Sequence, residues 1–214
     1  MGVTRSAMKI HWRGTVGGIV GGRQYGQDTW RSLADTISNP NSVAQQIVRA
    51  KFKAVTQAVK MLGYAYRLGY KMFIADGKGP RALFSRQIHD NALQGDLQQG
   101  FTIDPTKVEI SKGGLTPCHT IAASATPATQ TVTVSWSDNT GVGDAEATDQ
   151  LCYLLLNLTK ETSIYGTDVA TRAEESFSLT YPADWAGDTG YLYVFWNGKD
   201  KGCSSSKMLG VYSL

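Results

Sequence analysis

The hydrophobic period of the chain changes near Gly100, and this change limits the fold more than any other feature. Before it, apolar residues recur at helical spacing. After it come short runs rich in Val, Thr, Tyr, Phe and Trp, separated by Gly, Pro, Asn and Asp clusters: KVEIS, HTIAASA, TVTVSWS, QLCYLLLNL, SFSLTYP, GYLYVFWN and KMLGVYSL. Six or seven such runs predict a sandwich. TVTVSW alternates, so one of its faces should be wet; LCYLLL and YLYVFW are continuous and should lie centrally. The expected fold class is α+β: a Gly-rich basic β-hairpin or arm over residues 1–36, a short helical region over 37–99, and an immunoglobulin-like β-sandwich over 100–214.

In the helical region, Pro40 blocks an earlier start, and Ser42 with Gln45 makes a capping box of the S-x-x-Q kind, so a helix should begin near Ser42. Steps of 100° put Ala44, Val48, Phe52, Val55, Val59 and Leu62 on one stripe, expected to be core, with Arg49, Lys53 and Lys60 together beside it. Gly63 should end or bend this helix. A second helix is expected through YAYRLGYKMFIAD, and a third through PRALFSRQIHDNALQ, where Pro80 occupies a first-turn position.

Residues 14 to 26, GTVGGIVGGRQYG, hold six glycines in thirteen positions. Each costs about 0.5–1 kcal/mol relative to Ala in regular structure, so the run must gain something that only absent side chains give. Gly14, Gly18, Gly22 and Gly26 recur every four residues, and in one extended strand they would share a face with Trp12, Val16 and Val20. Three readings follow: a flexible loop, a hairpin with a Gly-Gly turn packed on the chain's own helices, or an arm or hairpin that docks on a neighbouring subunit. The candidate assembly interface is Trp12, Gly14, Gly17, Gly18, Gly21, Gly22 and Gly26. Charges at Arg13 and Arg23 leave too short an apolar run for a transmembrane small-residue interface.

Charge divides the chain. Residues 1–90 carry fourteen Lys or Arg against four Asp, a net +10, and the remainder is −7, together the +3 of the whole. A basic half of this kind suits an anionic partner, nucleic acid being the commonest. The candidate contacts are Arg13, Arg23, Arg31, Arg49, Lys53 and Lys60, with Tyr25, Trp30, Tyr64, Tyr66 and Tyr70 interleaved as possible stacking surfaces.

No catalytic grouping emerges. Ser6-Ala-Met-Lys9 and Ser204-Ser-Ser-Lys207 match S-x-x-K without the companion motifs of that enzyme class. His11, His89 and His119 are scattered, and Cys118, Cys152 and Cys203 are too few for a disulfide framework. Asp138, Asp144, Glu146 and Asp149 surround a Gly-rich turn; solvated turns explain them better than a calcium loop. No catalytic residue, metal, cofactor or small-molecule substrate is expected. The N-terminal residues lack the apolar core of a secretory signal, and nothing approaches a membrane span, so the expected location is cytoplasmic or virion-associated.

Four segments, WRGTVGGIVGGRQYGQDTWRS, NPNSVAQQIVRAKF, SWSDNTGVGDAEATDQ, and AGDTGYLYVFW with KGCSSSKMLGVYS, resemble a family of Bacteroidota and their phages known only as a domain of unknown function. The resemblance covers nearly the whole chain, with Gln24 and Tyr25 replacing that family's usual Trp-Lys pair. It implies the fold outline and no mechanism. The functional expectation is a non-enzymatic, homo-oligomeric structural protein that assembles through its basic Gly-rich N-terminal region, as a phage or phage-like capsid or coat component contacting nucleic acid. The alternative is a monomeric sandwich that binds a protein or glycan through acidic loops or Trp185 and Trp196.

Overall fold

A computed structural model of the chain describes residues 2–3, 13–24, 27–35, 39–73 and 79–214. Trp12, Tyr25 and Gly26 lie outside the described residues. The chain divides into two compact units, Met1–Ser42 and Val43–Leu214, so the helical region is not a separate domain as expected but part of the second unit.

The first unit is an antiparallel sheet of β1 (Gly2–Val3), β2 (Gly14–Val16), β3 (Ile19–Gln24) and β4 (Gln27–Ser32), in the order β1-β4-β3-β2. The glycines do not line one face of a single strand. Gly17 and Gly18, at φ 55° and 80°, form a two-residue turn that reverses the chain and sets Gly14 opposite Gly21. Positive φ at both central positions defines the hairpin turn whose twist matches its strands, and side chains resist it. The segment is therefore a hairpin with a Gly-Gly turn and not a loop, the shape that the second and third readings share.

The second unit opens with α1 (Val43–Met61), which starts where the capping signal places it and ends at Gly63, φ 66°. α2 (Tyr66–Gly69) is far shorter than expected and passes into a 3₁₀ turn at Lys71–Phe73. α3 (Pro80–Gln87) continues as one π-helical turn, Ile88–Ala92, and stops there, because Leu93 pairs with Ile103 in an unforeseen hairpin of β5 (Leu93–Asp96) and β6 (Gly100–Ile103). KVEIS is not a strand. Val108 and Ile110 are buried, but the backbone of this segment bonds to loops and side chains: Gln87 Nε2 donates to Lys107 O, Tyr70 Oη to Glu109 O, and Ile110 N to Ser206 Oγ. Gly69 lets α2 lie directly on it, since a Cβ there would collide with the carbonyl of Ile110.

Eight strands make the sandwich, three in one sheet and five in the other. The outer sheet has the order β11-β8-β7, from β7 (Ile121–Thr126), β8 (Thr131–Trp136) and β11 (Ser176–Thr180). The central sheet runs β10-β9-β12, from β9 (Gln150–Asn157), β10 (Thr162–Gly166) and β12 (Thr189–Gly198), with the short β13 (Gly202–Cys203) and β14 (Lys207–Ser213) along the far edge of β12.

The central sheet is buried on both faces, which explains its continuous apolar runs. Leu151 and Leu155 of β9, with Leu192, Val194 and Trp196 of β12, pack on Val132, Val134, Trp136 and Leu179 of the outer sheet. The alternate residues Cys152, Leu154, Leu156, Tyr193 and Phe195 pack on Val55, Val59, Leu62, Tyr66, Phe84 and Ile88 of the helices. The unit is thus three layers: helices, central sheet, outer sheet. TVTVSW has the expected alternation, with Val132, Val134 and Trp136 buried.

Beneath the 137–149 loop lies a fully buried Arg172. Its Nε and Nη2 donate to Asp149 Oδ2 at 3.2 and 2.9 Å, Nη1 to Asn139 Oδ1 at 2.5 Å, and Nη2 to Thr116 O at 3.0 Å, while the guanidinium stands 4.4 Å from the Trp196 ring. Asp138 and Asp144 accept from Thr140 and Thr116, and Glu146 pairs with Lys201. The four acidic residues of the loop are therefore engaged in holding it closed. Trp185 and Trp196 are buried, at 3% and 2% exposure, so of the contacts named for the binding-module alternative these two are not on the surface.

Candidate nucleic-acid interface

α1 has nineteen residues and no acidic one. At 100° per residue, Arg49, Lys53 and Lys60 fall within about 40° of one another, and all three are exposed. The expected apolar stripe divides in the middle. Val55, Val59 and Leu62 are buried in the helix–sheet core, whereas Val48 and Phe52 are 66% and 72% exposed. The physical reason is length: the N-terminal turns of α1 extend past the core residues beneath its C-terminal half, so identical periodicity has different surroundings at the two ends.

Phe52 borders a groove of about 370 Å³ between α1 and α3, lined by Ile47, Val48, Lys51 and Val55 on one side and Ser85, Arg86 and His89 on the other. The floor is apolar and the rim basic. The carboxylate beside this rim is Asp90, which takes Arg86 Nε at 3.3 Å and His89 Nδ1 at 2.9 Å; hydrogen bonds from His89 and then Arg86 hold its carboxyl below the usual range. Beyond the end of α1, the Arg67 guanidinium sits 4.2 Å from the centre of the exposed Tyr64 ring.

The six predicted cations therefore separate. Arg49, Lys53 and Lys60 form one exposed row on α1, while Arg13, Arg23 and Arg31 belong to the N-terminal unit. Within that unit, Arg23 lies opposite Asp28 and Arg31 opposite Val20, which puts them on opposite faces of the sheet. Of the interleaved aromatics, Tyr66 and Tyr70 are core residues packed on Phe84, with ring centroids 4.7 and 5.9 Å away, and offer no stacking surface. Arg86 belongs to the basic residues read as candidate contacts, whereas Phe52 was read as core and His89 as isolated. Phe52 is apolar at core spacing, and the groove that brings it together with Arg86 and His89 is made by two helical segments whose adjacency the sequence does not show.

The five described glycines of the predicted assembly interface are all in the β2–β3 hairpin. No neighbouring atom stands within 4 Å of where a Cβ would lie at Gly14, Gly17 or Gly18, whereas Gly21 is buried opposite Trp30 and Gly22 faces Thr29. Among the described residues, no group of three or more His, Cys, Asp or Glu stands together as metal ligands.

A family model described as a family of unknown function, DUF6266, matches residues 10–210. The chain belongs to the DUF6266 family. The matched span runs from before β2 into β14, taking in the helices and most of the sandwich and leaving out β1 of the Gly-rich sheet. No curated protein matches the chain. Among the described residues of this DUF6266 member, no helix is long and apolar enough to cross a membrane.

Proposed function

We propose that this chain is a non-enzymatic structural protein that assembles with copies of itself through its Gly-rich sheet and lays its basic helical layer against nucleic acid, as a phage or phage-like virion component would. The observation that carries the reading is the exposed cationic row of α1, in a helix without a single carboxylate. Support for assembly comes from β2. Among the described residues it is the outermost strand of its sheet, with Val16 exposed and, across a turn of bare glycines, Ile19 of β3 exposed as well. An edge of this kind offers backbone groups to a strand from another chain. Support for the immunoglobulin-like class comes from the packing of two antiparallel sheets, of five and three strands, with β9, β12 and β14 adjacent in one and β8 and β11 in the other.

The test is light scattering and negative-stain microscopy on the purified chain, before and after nuclease. Rings, tubes or shells that fail to form in Gly17→Val/Gly18→Val, with bound nucleic acid lost in Lys53→Glu/Lys60→Glu, are the expected results. A 23.2 kDa monomer free of nucleic acid at every salt concentration overturns the proposal.

A further inference from the structure

The groove between α1 and α3 places beside cations the large apolar side chain that is most exposed among the described residues. Phe52 is 72% exposed and Val48 66%. Leaving two such groups in water forgoes burial worth roughly 1.5–3 kcal/mol each. Lys51, Arg86 and His89 line the same groove, and Lys53 follows Phe52 on the outer surface of α1.

We infer that this groove seats an unpaired base of single-stranded nucleic acid, with Phe52 as the stacking surface and Lys51 and Lys53 as phosphate contacts. The inference rests on the reading of α1 as a nucleic-acid interface and narrows it to one class of ligand. Two observations favour an unpaired strand over a duplex, and the charge of the rim suits either. A duplex presents phosphates and keeps its base faces covered, so it would satisfy the cations and leave the Phe52 ring in water, whereas a single strand offers a π-face with every base. The groove, at about 370 Å³, has room for a planar ring beside Phe52, with the aliphatic side chains of Ile47, Val48 and Val55 as its floor. Lys53 is exposed next to Phe52, and Lys51, whose ammonium stands 5.6 Å over the Phe101 ring, can swing toward a phosphate flanking a seated base, while the nearby carboxylate, Asp90, is engaged by Arg86 and His89. The same charge argues against a basic or neutral peptide helix as the occupant. No Asn or Gln lines the groove and its Arg86 is held by Asp90, so binding should be largely indifferent to sequence.

The experiment is fluorescence anisotropy on the full chain with an oligothymidine and with a duplex of the same length, for wild type, Phe52→Ala, Phe52→Trp and Lys53→Glu/Lys60→Glu. Wild type should prefer the single strand. Phe52→Ala should weaken that complex roughly 5- to 140-fold, the range that loss of one base–aromatic stack gives, and leave duplex affinity within about twofold. Phe52→Trp should restore binding, and melting temperatures should agree because the ring is exposed. Single strand and duplex bound alike, with Phe52→Ala neutral on both, overturns the inference and leaves the charged interface standing. Failure of wild type to bind either nucleic acid at low salt overturns the interface reading itself. Capture of an acidic peptide by wild type but not by Phe52→Ala, with no nucleic-acid binding, assigns the groove to the other occupant.

Discussion

Replacing Arg172 by Met should cost the second unit about 3–5 kcal/mol, the usual result of removing one partner from a buried ion pair. Arg172 is fully buried and Asp149 is 2% exposed, so the carboxylate left behind cannot recover its hydration. Its Oδ2 would keep one donor, the Glu146 N–H at 2.9 Å, and lose two from the guanidinium. Thr116 O and Asn139 Oδ1 would also lose donors. In urea, with a slope of about 2 kcal/mol per M, the midpoint should fall by about 2 M with the slope unchanged. Asp149→Leu should cost a comparable amount by stranding the guanidinium. The double substitution Asp149→Leu/Arg172→Met should recover at least half of the summed loss, because two matched apolar side chains leave no buried charge. A loss of less than about 1 kcal/mol in Arg172→Met, or additive losses in the double variant, would refute the reasoning.

Gly17→Val/Gly18→Val forces branched side chains into positive φ at about 1–2 kcal/mol each, and hydrogen exchange at β2 and β3 should quicken while the thermal transition of residues 43–214 stays in place. Gly69→Ala should destabilise the second unit by about 1–3 kcal/mol in urea melts, since the new methyl meets the Ile110 carbonyl. All three cysteines are free and buried, and burial pushes each thiol up, Cys203 to about 11; a thiol reagent at pH 8 should label none in the folded chain and all three after unfolding. Burial also raises Tyr70 and Tyr193. These groups ionise more readily when unfolded, so their stability contribution is complete below about pH 9 and is lost as pH rises toward the folded values, which alkaline urea titration should show as a falling midpoint.

The two sheets were legible because strand periodicity reports surroundings directly. LCYLLL and YLYVFW have water on neither face, TVTVSW has it on one, and the structure places them accordingly. The α1 stripe was half legible. Spacing identifies residues on one side of a helix and carries no information about where the opposing layer ends, so Val48 and Phe52 looked the same as Val55 and Val59. KVEIS failed for a related reason, since burial of Val108 and Ile110 imitates a strand even where the backbone has no partner strand. The Gly-Gly turn was readable as one of three possibilities; the four-residue glycine repeat pointed elsewhere because a reversal at Gly17–Gly18 cancels it. Arg172 gave no sign at all. A single cation in TDVATRAEES is indistinguishable by sequence from an exposed one until the 137–149 loop closes over it.

Because the central sheet serves two cores at once, the sandwich of this chain is not an exchangeable module. A fragment cut at the change of period, from residue 100 onward, would keep every strand of both sheets and still present Cys152, Leu154, Leu156, Tyr193 and Phe195 to water as one flat, sticky wall. Such a fragment is expected to precipitate or to pair wall against wall. Grafts, truncations and fusions of this chain should therefore keep 43–214 whole, and a recombination event inside that span would be purged even where it spares every strand.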